Sequence, residues 1–139
     1  MNRRCFLRQM EAAALAGGVG VSASGCLGFH YVNATIRADR AMVRRDDFGE
    51  QRYVLVDVPA LALPLYLYRN DDGSYSTVST RCMHQGCQVE PVAGHLVCPC
   101  HGSEYTNQGA VLRGPTRYPL EKFRTELDGD HVVIHLVAS

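Results

Sequence analysis

The chain has 139 residues with 14 basic and 14 acidic side chains, a formal net charge of zero, and 46% hydrophobic residues without tryptophan. That length supports one compact core rather than two. The charge balance gives no basic field for nucleic acid, and no apolar run reaches the roughly 20 residues needed to cross a bilayer as a helix.

Taken in chain order, Asn2-Arg3-Arg4-Cys5-Phe6-Leu7-Arg8 resembles a twin-arginine export signal, in which paired arginines precede apolar residues and a further basic residue. The apolar stretch from Ala12 to Val21 suits a cleaved signal better than a membrane helix. Ala23-Ser24-Gly25-Cys26 resembles a lipobox, which would make Cys26 the lipid-carrying first residue of the mature chain. Leucine is usual where Ala23 stands, and an ordinary signal-peptidase site or a retained short anchor are the alternatives. Residues 1–25 are therefore assigned to a signal, 26–50 to a lipid-attached tether and 51–139 to a folded domain. Arg44-Arg45-Asp46-Asp47 within the tether reads as a solvated turn.

The remainder is β-rich. Arg52 to Val58 and Leu65 to Tyr68 have β-branched and aromatic residues at strand spacing, and Asp71-Asp72-Gly73 marks a turn before Tyr75 to Thr80. Phe123 to Leu127 and Val132 to Val137, joined through Asp128-Gly129-Asp130, predict a hairpin. His131 and His135, four apart, share one strand face, expected to be polar and exposed. His95 reads as a solvent-facing strand residue, and Tyr118 and Phe123 as packing residues. No amphipathic helix is apparent, so the fold class is all-β with antiparallel strands.

Two blocks carry the chemistry. Cys82-Met83-His84-Gln85-Gly86-Cys87 and Cys98-Pro99-Cys100-His101-Gly102-Ser103 each offer a cysteine and a histidine at metal-ligand spacing, plus a second cysteine. A Cys-x-His pair with a Cys-x-x-His pair suits a [2Fe-2S] cluster bearing two thiolates on one iron and two imidazoles on the other. Replacing two thiolates by neutral imidazoles removes negative charge and so raises the potential, to roughly −150 to +300 mV against about −400 mV for all-cysteine plant-type centres. A ligating imidazole also keeps its other ring nitrogen to hold or lose a proton, and oxidation of the iron makes that proton more acidic. Structural zinc in a Cys2His2 site is the competing reading. It leaves the extra cysteine of each block without a role. A bare disulfide with incidental histidines accounts for less still.

Together the blocks resemble the Rieske iron-sulfur proteins of the cytochrome bc1/b6f type, over roughly Tyr53 to Leu136. The resemblance implies an antiparallel sandwich with two cluster-binding loops at one end. It implies Cys82, His84, Cys98 and His101 as ligands and a disulfide from Cys87 to Cys100. Ser103 and Tyr105 stand where that family has hydroxyls that donate to cluster and cysteine sulfur, raising the potential. Leu112-Arg113-Gly114-Pro115-Thr116 resembles the proline-containing loop that covers the cluster. Six cysteines then divide into two ligands, one bridge and the two N-terminal residues Cys5 and Cys26. A persistent bridge implies a compartment outside the cytosol, in keeping with the signal. A chain loaded with reduced cysteines in the cytoplasm and exported folded would acquire its bridge afterwards.

The function implied is an exported, membrane-tethered carrier passing single electrons between a donor enzyme or quinol and a cytochrome-like acceptor. The alternatives are the Rieske subunit of a quinol-oxidising cytochrome bc-type complex, or the small subunit of an arsenite-oxidase-like molybdenum enzyme. Departures from the quinol-oxidising pattern are Gln85 where leucine is usual, a missing second proline after Pro115, and no transmembrane helix. A cytosolic ferredoxin feeding a ring dioxygenase conflicts with the export signal and the bridging cysteines. No substrate pocket or general base is identified.

Overall fold

The computed structural model describes residues 28–138. The twin-arginine-like segment, the apolar stretch and Cys26 lie outside them. Twelve strands and one short 3-10 turn make up the described chain: β1 (Tyr31–Asn33), β2 (Thr35–Arg37), β3 (Arg40–Arg44), the turn Arg45–Phe48, β4 (Tyr53–Asp57), β5 (Leu65–Arg69), β6 (Tyr75–Ser79), β7 (Glu90–Val92), β8 (His95–Val97), β9 (Glu104–Tyr105), β10 (Val111–Arg113), β11 (Lys122–Asp128) and β12 (His131–Ala138). The all-β expectation holds, and the β11–β12 hairpin turns through Gly129-Asp130.

Eight strands form one sheet in the order β1-β4-β5-β6-β11-β12-β3-β2, and four form a second in the order β10-β9-β8-β7. In the large sheet β1 and β2 occupy opposite edges, yet a single residue, Ala34, separates them in sequence. One residue spans less than about 4 Å, so the sheet must curl until its two edges meet. A continuous stretch of chain thus completes a barrel, pairing parallel with β4 through Tyr31–Asn33 and antiparallel with β3 through Thr35–Arg37. Both edges are thereby protected from pairing with another chain.

This corrects the tether assignment. Tyr31 to Arg44 contributes three strands, with Ala41 and Val43 fully buried, and Phe48 closes the core from the 3-10 turn. The segment alternates apolar and polar residues only in short pieces, and its partners lie far off in sequence. Hence Ala41-Met42-Val43 gave no local signal of a strand. Arg44 does pair with Asp47 at 3.3 Å on the surface, as the mixed charge run suggested.

Two cores follow from side-chain alternation. Val54 and Val56 of β4 and Leu65 and Leu67 of β5 point into the barrel, joining Val43, Phe48, Phe123, Val132 and Ile134. Leu55 and Tyr66, between them, point outward and join Val78, Val89, Leu96, Tyr105 and Leu120 beneath the small sheet. Strands β4 and β5 are buried on both faces, which explains the unbroken runs Val54-Leu55-Val56 and Leu65-Tyr66-Leu67. A polar contact joins the barrel to the small sheet. Tyr66 Oη of β5 donates to Asn107 Oδ1 at 2.8 Å, and Asn107 Nδ2 in turn donates to the Gly94 carbonyl at 2.8 Å within the small-sheet region.

His131 and His135 flank the buried Val132–Ile134 run, but they do not form an open polar face. Both are half-buried, and His135 Nε2 meets Glu126 at 2.9 Å. Phe123 packs in the barrel, whereas Tyr118, expected to pack, is exposed. Among the described residues no helix is long and apolar enough to cross a membrane.

Candidate metal centre

Both cysteine-histidine blocks sit at the end of the small sheet, on loops of the same construction. The Cys82 N–H donates to the Cys87 carbonyl at 2.8 Å and the Gly86 N–H to the Cys82 carbonyl at 2.8 Å. In the second loop the Cys98 N–H donates to the Ser103 carbonyl at 2.8 Å and the Gly102 N–H to the Cys98 carbonyl at 3.0 Å. Each loop needs a left-handed residue at its fifth position, with φ +79° at Gly86 and +78° at Gly102. Glycine meets that need without a side-chain clash. The chain therefore repeats one turn at a 16-residue offset, with Cys82 matching Cys98 and Gly86 matching Gly102.

The loops place their donors in two layers. Cys82 and Cys98 are free thiols, buried within the second core. His84 and His101 are exposed above them, their rings 4.8 Å apart between centroids and nearly perpendicular at 87°. Soft sulfur donors lie inward and imidazoles face solvent, so the four residues that the two blocks nominated converge on one end of the domain.

The disulfide from Cys87 to Cys100 is present, with Cα atoms 6.5 Å apart, and it staples the two loops together. The sulfurs of Cys87, Cys98 and Cys100 lie within 4.8 Å of one another. That trio is not a metal site, because two of its sulfurs are consumed in their mutual bond. It locates the staple directly beside Cys98.

The surroundings of the two thiols differ. Burial pushes the Cys82 thiol up, but the Tyr105 hydroxyl and the backbone N–H groups of His84 and Gln85 more than offset it, leaving it below the ordinary thiol range. Burial dominates at Cys98 and raises its thiol, partly opposed by the N–H groups of Cys100 and His101, while proximity to Cys82 adds to the rise. A pair of adjacent thiols that cannot both ionise easily, each lined by amide donors, suits sulfur atoms that share a cationic centre.

Tyr105 is fully buried, its hydroxyl 3.3 Å from Cys82 Sγ and within 3.3 Å of the Met83 N–H, which donates to it. Accepting from that N–H orients the phenolic proton toward sulfur. Ser103 is equally buried, and its Oγ accepts from the Thr116 N–H at 3.1 Å. No hydrogen bond among the described residues uses its own proton. Thr116 follows the cis Gly114–Pro115 peptide and is itself buried, so the Leu112–Thr116 segment closes over the second ligand loop. A donor set of two buried thiols and two exposed imidazoles, ringed by N–H and O–H donors, fits a mixed-ligand iron-sulfur cluster. It exceeds what a tetrahedral zinc ion requires.

Several contributors were invisible to motif reading. Asn107 acts through its side chain, which accepts from Tyr66 and donates to the Gly94 carbonyl, and Arg81 lies against Gly86, its Nε 3.3 Å from where a Cβ would stand. The 16-residue repeat of Cys-x-x-x-Gly was the available signal for the glycines. His95, expected to face solvent, is half-buried and lies 3.8 Å from Glu104, which also pairs with Arg113 at 3.2 Å. It takes no part in the donor set.

Comparison with known proteins agrees with this geometry. The Rieske [2Fe-2S] domain model matches residues 38–124. The chain is 32% identical over 89 residues to the cytochrome b6-f complex iron-sulfur subunit of Chlorobaculum tepidum, covering 58% of this chain and 49% of that protein. It is 39% identical over 74 residues to the chloroplastic subunit 1 of Nicotiana tabacum, covering 50% of this chain and 32% of that one. The chain thus spans half or less of the length of these relatives. Among solved structures it resembles the cyanobacterial plasma membrane Rieske protein PetC3 from Synechocystis PCC 6803, with a TM-score of 0.58, 31% identity and coverage of 66% of this chain and 93% of that one. The match begins at residue 38, inside the barrel strands rather than at the first cysteine block, and with the paired loops it establishes that this chain belongs to the Rieske [2Fe-2S] domain family.

Proposed function

We propose that the protein is an exported, membrane-tethered carrier of single electrons in which Cys82, His84, Cys98 and His101 hold the [2Fe-2S] cluster. The observation that carries this reading is the two-layer donor set, buried thiols beneath two exposed imidazoles 4.8 Å apart. When bound, the cluster supplies a one-electron couple whose two neutral ligands reduce the charge opposing electron uptake. The chain's own residues set the terms of exchange. Tyr105, Ser103 and the amides of the two loops donate toward sulfur, favouring the more negative state. The second core excludes water from the thiols. His84 and His101 bring the outer edge of the site to the surface, where a partner protein can approach without a channel.

The partner is a redox protein, a cytochrome or oxidoreductase. The likeness of the N-terminus to a twin-arginine signal followed by a lipobox at Cys26 supports a location on the outer side of the cytoplasmic membrane. Similarity to membrane-associated Rieske proteins supports attachment to a membrane. Electron paramagnetic resonance and a redox titration of the cluster-loaded protein test the core of the reading. A mixed-ligand diiron signal with a potential within roughly −150 to +300 mV is expected. Colourless protein with stoichiometric zinc would overturn it, and a potential near −400 mV would point to a ferredoxin-type role. Mass spectrometry of the mature N-terminus tests lipid on Cys26.

Membership of a quinol-oxidising complex is the second reading, favoured by the identity to cytochrome b6-f subunits. Against it stands Gln85, an exposed amide beside His84 where an apolar rim would favour quinol. A quinone analogue that shifts the cluster spectrum would favour the second reading.

A further inference from the structure

The two ligand loops share one backbone design but differ in what lies against their glycines. A Cβ at Gly102 would meet nothing within 4 Å, whereas at Gly86 it would meet the Arg81 side chain, with Nε at 3.3 Å, Nη2 at 3.6 Å and Cζ at 3.9 Å. Positive φ explains both glycines, and only Gly86 also makes room for a guanidinium. Arg81 is thereby laid against the loop that carries Cys82 and His84.

We propose that Arg81 is an electrostatic positioning residue whose unpaired guanidinium, held on the first ligand loop, favours the electron-loaded state of the centre. This rests on the ligand assignment above. Among the described residues no carboxylate lies within ion-pair distance of Arg81, whereas Arg113, on the neighbouring covering segment, is neutralised by Glu104 at 3.2 Å. Arg81 shares an open cavity of about 600 Å³ with Met83, His84, Gln85 and Glu121, so its charge faces the same space as the imidazole. Glu121 is the one carboxylate on that wall. Electron uptake adds a unit of negative charge, and a fixed cation on the loop stabilises that product over the reactant. Arginine stays protonated throughout the working pH range, so the contribution does not switch off with pH.

The test is the midpoint potential of the loaded protein at low and high ionic strength, with the cluster's paramagnetic signal recorded for each variant. Arg81→Gln is expected to lower the electron-uptake constant severalfold, each tenfold reading as about 59 mV for one electron, with an unchanged signal shape. Arg81→Lys keeps the charge and is expected to restore most of the potential. Arg45→Gln, beside the β11–β12 turn at the opposite end of the strands from Arg81, removes an equal charge and is expected to leave the potential unchanged. The Arg81→Gln shift should shrink in 1 M salt, where screening falls to about 3 Å. A Gln variant with wild-type potential overturns the proposal, as does loss of the cluster from both the Gln and Lys variants, which would mark a structural role. Absence of a mixed-ligand signal from the unaltered protein would instead refute the ligand assignment itself.

Discussion

Removing the Cys87–Cys100 staple by changing both residues to serine separates two jobs, holding the fold and holding the donors. The bridge spans a sequence separation of 13. In the chain-entropy treatment, closing a loop of that size restricts the unfolded state by about 10 cal/mol/K, or about 3 kcal/mol at 25 °C. Spread over an unfolding entropy of roughly 2.1 cal/mol/K per residue for about 110 residues, that loss lowers Tm by about 13 °C. Both ligand loops keep their internal hydrogen bonds and their glycines, so iron content should fall less than stability does. The assay is thermal and urea unfolding of the oxidised, loaded protein followed in parallel by far-ultraviolet circular dichroism and visible absorbance. A double variant that unfolds within about 0.5 kcal/mol of the parent would refute the loop-entropy argument. One that folds normally but never takes up iron would show that the staple shapes the donor set instead.

Tyr105→Phe removes the hydroxyl 3.3 Å from Cys82 Sγ and should lower the potential while iron is retained; Ser103→Ala should do so modestly, and loss of iron in either would show a structural role. His101→Cys adds negative charge to the ligand set and should lower the potential further, provided the cluster assembles, as a redox titration will read. Gly109→Ala forces a side chain into φ +83° and puts its Cβ 3.0 Å from Val78 Cγ1 and 3.1 Å from Leu120 Cβ. A loss of about 1–3 kcal/mol in urea unfolding is expected.

The centre was legible because its chemistry is local. Cys82 with His84, and Cys98 with His101, lie within three residues of each other, and residue type alone decides what they can bind. The hairpin of β11 and β12 was legible for the same reason, with its turn marked by Asp128-Gly129-Asp130. The barrel closure was not. Tyr31–Arg37 acquires its structure from β4 and β3, one partner more than 20 residues away, and a three-residue strand has no periodicity to read. The hydroxyl roles of Ser103 and Tyr105 were implied by family likeness, and their burial was not. The roles of Asn107 and Arg81 depend on loops meeting in space, which no spacing rule encodes.

The stitched barrel edge carries one last consequence. Phe29 already packs against the second core, and the His30 carbonyl accepts the Leu55 N–H at 2.8 Å. A lipid on Cys26 would leave three residue steps of slack before the fold begins, about 10 Å fully stretched. A head moored so closely would be unable to patrol the space above a membrane, and its electron partners would have to travel to it along the surface.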